Sequence, residues 1–106
     1  MQILSVRELK ARLDAPAGRP QLLDVREPWE VHLCMIADSL HIPMDQVPAR
    51  LPELDRSRQT VVICHHGIRS SHVARLLEYY GFTEVFNLTG GIDAWAREID
   101  PGMTTY

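Results

Sequence analysis

Thr60-Val61-Val62-Ile63 constrains this chain more than any other stretch. It is mainly apolar and β-branched throughout, which reads as a buried strand. It runs directly into Cys64-His65-His66-Gly67-Ile68-Arg69-Ser70, and then into a strongly helical stretch from Ser71 to Tyr80. A strand that passes through one short loop into a helix is a unit of an open α/β sheet. Such sheets bind ligands outside the carboxyl ends of their strands. Helix N-termini add free N–H groups and a positive dipole end, both suited to anions. Cys64 therefore stands where a thiolate nucleophile would be useful.

The flanking sequence repeats the pattern. Ile3-Leu4 suits a short edge strand. Ser5 and Glu8 then have capping-box spacing, and Leu4 and Leu9 occupy the staple positions of a helix that Pro16-Ala17-Gly18 closes. Gln21 to Val25 reads as a strand, and Pro28 falls in a helical first turn, where its missing N–H costs nothing. Ser39 to Ile42 is a short strand closed by Pro43, and a helix is expected from about Asp45 to Leu54. Gln59 to Ile63 is the central strand. Val73, Leu76, Leu77 and Tyr80 mark the core face of the next helix, with Gly81 as its stop. Glu84 to Leu88 is the last strand. Thr89-Gly90-Gly91 turns into a helix with Ile92, Trp95 and Ile99 on its core face, ended by Asp100-Pro101-Gly102. Strands alternating with helices imply one α/β domain over residues 1–106, a mainly parallel sheet of about five strands covered on both faces.

Bulk properties exclude several function classes. A formal charge of −3 without any Lys/Arg cluster argues against nucleic acid or an anionic membrane as partner. The N-terminus lacks the basic start and apolar stretch of a secretory signal, and no segment has the roughly 20 apolar residues of a membrane span. Two cysteines fit a reducing cytoplasm and a chemical role better than a disulfide framework.

Five segments in order resemble the single-domain rhodanese sulfurtransferases, over essentially the whole chain. They are Asp24-Val25-Arg26-Glu27 with Trp29-Glu30, Ile42-Pro43, the Cys64 to Arg69 loop, Leu88-Thr89-Gly90-Gly91-Ile92 with Trp95, and Ile99-Asp100-Pro101. The resemblance implies a rhodanese-like fold and a Cys64 that takes sulfane sulfur from a donor such as thiosulfate. As a persulfide, Cys64 would pass that sulfur to a thiol or cyanide. The loop residues His65, His66, Gly67, Ile68, Arg69 and Ser70 would cradle the sulfur. An alternative is an intracellular persulfide carrier or partner-binding module that delivers sulfur to a protein thiol. No cofactor and no metal is implied; adjacent ligands on a tight loop suit a zinc tetrahedron poorly. Where the family often has Gly-His-Ile-Pro-Gly-Ala, this chain has Cys34-Met35-Ile36-Ala37-Asp38-Ser39, which leaves the local backbone open.

Sulfur transfer needs a thiolate, a place for an extra anionic sulfur and a positive group for an anionic donor. Cys64 supplies the first. Loop N–H groups and the helix end supply the second, with Gly67 permitting φ > 0. Arg69 supplies the third through its planar fork. Lowering a thiol pKa raises its thiolate fraction but also lowers intrinsic nucleophilicity, so the net gain is small. The larger contribution is electrostatic, at about 3–4 kcal/mol per well-placed donor. Cysteine phosphatases place five residues between cysteine and arginine, whereas four intervene between Cys64 and Arg69. The tighter bowl suits one sulfur atom better than a tetrahedral phosphate.

The remaining candidates are assigned supporting roles. Asp24 and Arg26 pair with one another or with Glu30 to fix the loops around the site. Trp29 and Trp95 are core or pocket wall. Cys34 is expected near the amino edge of the sheet, across from Cys64 and too far for a disulfide.

Overall fold

A computed structural model describes residues 1–106. The elements are β1 (Gln2–Leu4), α1 (Val6–Asp14), β2 (Gln21–Asp24), α2 (Pro28–Leu33), β3 (Leu40–His41), β4 (Thr60–Ile63), α3 (Ile68–Tyr79), β5 (Val85–Leu88) and α4 (Gly91–Glu98). The five strands form one parallel sheet in the order β1-β5-β4-β2-β3, with β4 at its centre. Strand alternation divides the core in two. Leu23, Val25, Val62, Cys64 and Val85 face Val73, Ala74 and Leu77 of α3, together with Val47, Leu51 and Leu54. Leu22, Val61, Ile63, Phe86 and Leu88 face Val6 and Leu9 of α1 and Ile92 and Trp95 of α4 on the other side.

Local sequence signals account for most element ends. Ser5 and Glu8 form a reciprocal capping box, Glu8 N–H to Ser5 Oγ at 3.1 Å and Ser5 N–H to Glu8 Oε1 at 2.9 Å. Leu4 and Leu9 are both buried, as a staple requires. Pro28 is the first residue of α2, and Gly81 follows α3 with φ +95°. Asp38 stands where the resemblance leads one to expect a glycine, and it keeps the left-handed conformation at φ +66°. Aspartate tolerates that region better than most residues.

Two expectations are corrected here. The segment around Asp45 to Leu54 is two 3₁₀ pieces, Met44–Gln46 and Pro48–Glu53, rather than one α-helix. Pro48 and Pro52 both lack the N–H an α-helix requires at that spacing, and Arg50 between them leaves helical geometry at φ −115°, ψ 15°. Tyr80 is the residue after α3 and is exposed; the buried stripe is Ser70, Val73, Ala74 and Leu77.

The topology leaves one place on the sheet edge for a site. From β2 the chain moves outward to β3, whereas from β4 it moves the opposite way to β5. The segments after these two neighbouring strands diverge, opening a crevice at their carboxyl ends. Arg26 and α2 follow β2 into that crevice, and Cys64 with α3 follows β4. The first N–H groups of α4 hold the loop after β4 in place: Ile92 N–H donates to the Cys64 carbonyl at 2.9 Å and Asp93 N–H to the His65 carbonyl at 3.1 Å.

That close approach makes Gly91 a steric requirement. It has φ +59°, and a β-carbon there would overlap the carbonyls of Cys64 and His65. Left-handed strain and overpacking together predict that Gly91→Ala costs about 2–4 kcal/mol in urea unfolding. Gly102→Ala is the matched control. Its β-carbon would meet nothing closer than Asp100 Oδ1 at 3.6 Å, so its midpoint should stay near that of the unmodified protein.

Candidate active site

Cys64 follows the last residue of β4 and is 1% exposed. Its Sγ accepts the Gly67 N–H at 3.0 Å and lies 3.2 Å from Ser70 Oγ. Gly67 has φ +111°, whereas the nearest atom to a β-carbon there is the Leu88 carbonyl oxygen at an ordinary 3.5 Å. Conformation rather than space therefore calls for glycine. The backbone N–H groups of His65, His66, Ile68 and Arg69 donate to no protein acceptor. With the N-terminal end of the twelve-residue α3, they give the loop an excess of donors around one sulfur atom.

A polar side chain from the neighbouring strand completes this floor. Asn87 of β5 donates from Nδ2 to the Gly67 carbonyl at 3.0 Å and accepts the Ser70 hydroxyl on Oδ1. That orientation fixes the Ser70 proton toward Asn87, so the Cys64 thiol donates to Ser70 Oγ. Asn87 was not among the residues the sequence singled out. The signal was there, since Asn87 is the one polar residue in the buried strand Val85-Phe86-Asn87-Leu88.

Arg69 does not present a free fork. Its Nη1 and Nη2 donate to Glu30 Oε1 and Oε2, both at 3.0 Å, and Glu30 itself is 5% exposed. These bonds, with the Glu30 charge behind them, raise the Arg69 pKa above its ordinary value against the opposing effect of burial. Glu30 also accepts the Tyr106 hydroxyl on Oε2 at 3.1 Å. Burial pushes the Tyr106 phenol up to about 12 despite the nearby Arg26, so it stays protonated and can donate.

Asp24 and Arg26 pair with one another, and neither is exposed. The Arg26 Nε and Nη2 bond Asp24 at 2.9 and 2.7 Å. Nη1 reaches the Tyr106 hydroxyl at 3.0 Å and the Glu30 carbonyl at 3.4 Å, and Nη2 reaches the Cys34 carbonyl at 2.7 Å. Burial opposes the charge, but the bonds to Asp24 outweigh it and hold the guanidinium firmly protonated.

The outer residues of the loop face away from the sulfur. The His65 ring stacks between His66 and Tyr106, each centroid 3.9 Å away. Burial, reinforced by His66, lowers the His65 pKa. Ile68 is 72% exposed, and Trp29 is 60% exposed with its ring edge-on to Tyr106. Trp29 is therefore rim rather than core, while Trp95 is core as expected.

Cys34 lies at the carboxyl edge, not the amino edge. It caps α2, its Sγ is 3.8 Å from Arg26 Nη1, and it lines a narrow slot with His65 and Tyr106 that has no room for a water molecule. A six-residue α2 is only about 9 Å long, too short to carry the chain back across the sheet. The return is made by the segment after it. Both cysteines are free thiols.

Comparison with known proteins agrees with this architecture. Residues 5–98 match the family model of the rhodanese-like domain. A sulfurtransferase from Allochromatium vinosum is 42% identical over 76 residues, covering 72% of this chain and 71% of that protein. A rhodanese-like/PpiC domain-containing chloroplastic protein from Arabidopsis thaliana is 35% identical over 109 residues; the match takes in 97% of this chain but only 36% of the larger relative. The crystal structure of a rhodanese-like domain protein from Staphylococcus aureus superposes with a TM-score of 0.86 at 30% identity, covering 100% of this chain and 99% of that one. Fold, family model and relatives thus agree that the chain belongs to the rhodanese-like family, whose members here include sulfurtransferases.

Proposed function

We propose that the protein moves sulfane sulfur from a donor to an acceptor through a persulfide on Cys64. The observation that carries this is the buried Sγ, held 3.0 Å from the Gly67 N–H and 3.2 Å from Ser70 Oγ at the mouth of an N–H-rich loop. In the first half-reaction the Cys64 thiolate attacks the outer sulfur of the donor. The donor's sulfur bond breaks and the leaving group departs with its electron pair, as sulfite from thiosulfate or as a thiolate from an organic persulfide. In the second, an acceptor thiolate or cyanide attacks the outer sulfur of the Cys64 persulfide and regenerates the Cys64 thiolate.

Each loop residue has a task in this scheme. Once Cys64 has lost its proton, Sγ changes from donor to acceptor, and the Ser70 hydroxyl rotates its proton from Asn87 to the sulfur. The Gly67 N–H needs no movement. The N–H groups of His65, His66, Ile68 and Arg69 have no protein acceptor and are available to the transferred sulfur, and such preorganised dipoles stabilise developing charge without reorganising. Asp24 and Arg26 support the loops from below. A protein thiol is a second acceptor class, favoured by the exposed Ile68 and Trp29 at the rim, where large apolar side chains suit a protein surface.

Intact-mass spectrometry after exposure to a sulfane donor should show one added sulfur atom, and Cys64→Ser should lose both the adduct and turnover. Persulfide formation undiminished in Cys64→Ser would overturn the scheme. Ser70→Ala removes a hydrogen bond to a charged atom, a loss of about 1.5–3 kcal/mol or roughly 10- to 150-fold in kcat/KM. Arg26→Ala separates support from chemistry. It leaves Asp24 buried without its partner and should cost about 3–5 kcal/mol in stability, while the molecules that remain folded still form the Cys64 persulfide.

A further inference from the structure

We propose that Glu30 selects the donor. By holding the Arg69 fork it withdraws the cation that a small dianion would need, and so directs this site toward organic persulfides, R–S–SH, rather than thiosulfate. The inference rests on the Cys64 persulfide reading above and adds to it the class of donor.

Geometry gives the first argument. The Arg69–Glu30 contact is end-on and bidentate, with two N–H···O bonds of 3.0 Å, the arrangement in which a guanidinium and a carboxylate satisfy one another best. A thiosulfate sulfonate bound in the same end-on mode would compete for those two N–H groups. Glu30 is not free to move aside, being 5% exposed. Its carboxylate is also tied to Tyr106 at 3.1 Å, and its carbonyl accepts from Arg26 at 3.4 Å. An arriving anion would leave this carboxylate buried and without its guanidinium, which costs more than a bond to the anion returns.

Charge balance around the site gives the second. Arg26 is matched by Asp24 and Arg69 by Glu30, and Arg97 beyond the loop is matched by Asp93 at 3.0 Å. Burial disfavours a charge on His65, whose ring stacks between His66 and Tyr106. The three arginines about the loop are thus each spent on a carboxylate of this chain. What remains for a substrate is a set of neutral N–H dipoles, enough for one transferred sulfur but poorly suited to a departing dianion.

The two donors differ in the charge they bring. When the thiolate of Cys64 attacks R–S–SH, the donor S–S bond breaks, R–S⁻ leaves with the electron pair, and Cys64–S–SH keeps the proton on the transferred sulfur. A single negative charge is present before and after. Attack on thiosulfate gives Cys64–S–S⁻ and SO₃²⁻, so three negative charges share the pocket throughout. Only this second route needs an uncompensated cation beside the sulfur.

Steady-state kinetics with thiosulfate and with a small alkyl persulfide of uncharged side chain test the proposal, read as the ratio of the two kcat/KM values. Glu30→Gln should move that ratio toward thiosulfate by about 10-fold or more, mainly through a lower KM for thiosulfate, because the freed fork regains a charge-assisted bond. Adding Arg69→Ala to Glu30→Gln should cancel the shift. Glu30→Asp, which draws the carboxylate back by one methylene, should move the ratio in the same direction by less. The unmodified protein supplies an arm that needs no variant. Sulfate at about 10 mM should leave persulfide turnover as matched chloride does, since a closed fork offers a dianion no site. An unchanged ratio in folded Glu30→Gln, a shift that survives loss of Arg69, or sulfate inhibition of the unmodified protein would each overturn the assignment. Absence of any adduct on Cys64 is a different result, and it would remove the underlying scheme as well.

Discussion

A guanidinium without exposed surface must have every N–H matched by protein, and Arg26 meets that condition at the junction of three segments. Its five N–H groups are spent on the Asp24 carboxylate at the end of β2, on the Glu30 and Cys34 carbonyls at the two ends of α2's second half, and on the Tyr106 hydroxyl. The bonds to α2 matter most, because that helix contributes little to the core. α2 has six residues, of which Glu30 alone is buried, so packing cannot hold it against the sheet. Arg26 holds it by backbone instead. Glu30 is thereby set where its carboxylate meets Arg69 at the start of α3, and Tyr106 where its ring covers His65. A buried ion pair contributes little net stability over an apolar substitute. Its use here is to define geometry at an edge where hydrophobic packing gives out.

The opposite side of the loop is held by backbone alone. α4 donates its first N–H groups to the carbonyls of Cys64 and His65, at a distance only Gly91 permits. The loop's carbonyls are thus drawn toward α4. Among its N–H groups, that of Gly67 meets the sulfur at 3.0 Å. Glycine at Gly67 and Gly91 serves different ends: the first allows a conformation, the second an approach. Because β2 and β4 are neighbours whose outgoing chains diverge, both supports reach the same crevice without any long loop.

What could be read from the sequence was local. The capping box at Ser5 and Glu8, proline at the start of α2, φ > 0 at Gly67 and the stop at Gly81 each depend on a few consecutive residues, and each is present. The alternation of strand and helix gave a parallel sheet covered on both faces because that pattern, too, is built of local periods. Errors arose where two local signals conflicted or where a contact spans the chain. A helix is expected from about Asp45 to Leu54, but Pro48 and Pro52 each remove a donor, and the segment folds as 3₁₀ pieces. Cys34 stays at the carboxyl edge because α2, at six residues, is too short to cross the sheet. Tyr106 meets Arg26 and Glu30 across 80 and 76 positions, and nothing near it in sequence announces either contact. The sequence assigns the Arg69 fork to an anionic donor, whereas the fork holds a carboxylate of this chain. The sequence alone does not say that the anion is Glu30.

That last point bears on how such a site handles charge. A thiolate can be stabilised by a nearby cation or by a set of oriented dipoles, and the two differ in what else they attract. A free cation draws any anion from solution and must be desolvated each time it is filled. Backbone N–H groups on a short loop are already desolvated and already oriented, so they favour a negative sulfur without recruiting a larger anion. With Arg69 committed to Glu30, this site is of the second kind. The arginine then serves the loop chiefly as a rivet. It ties α3's first turn to α2 through two bonds of 3.0 Å to Glu30.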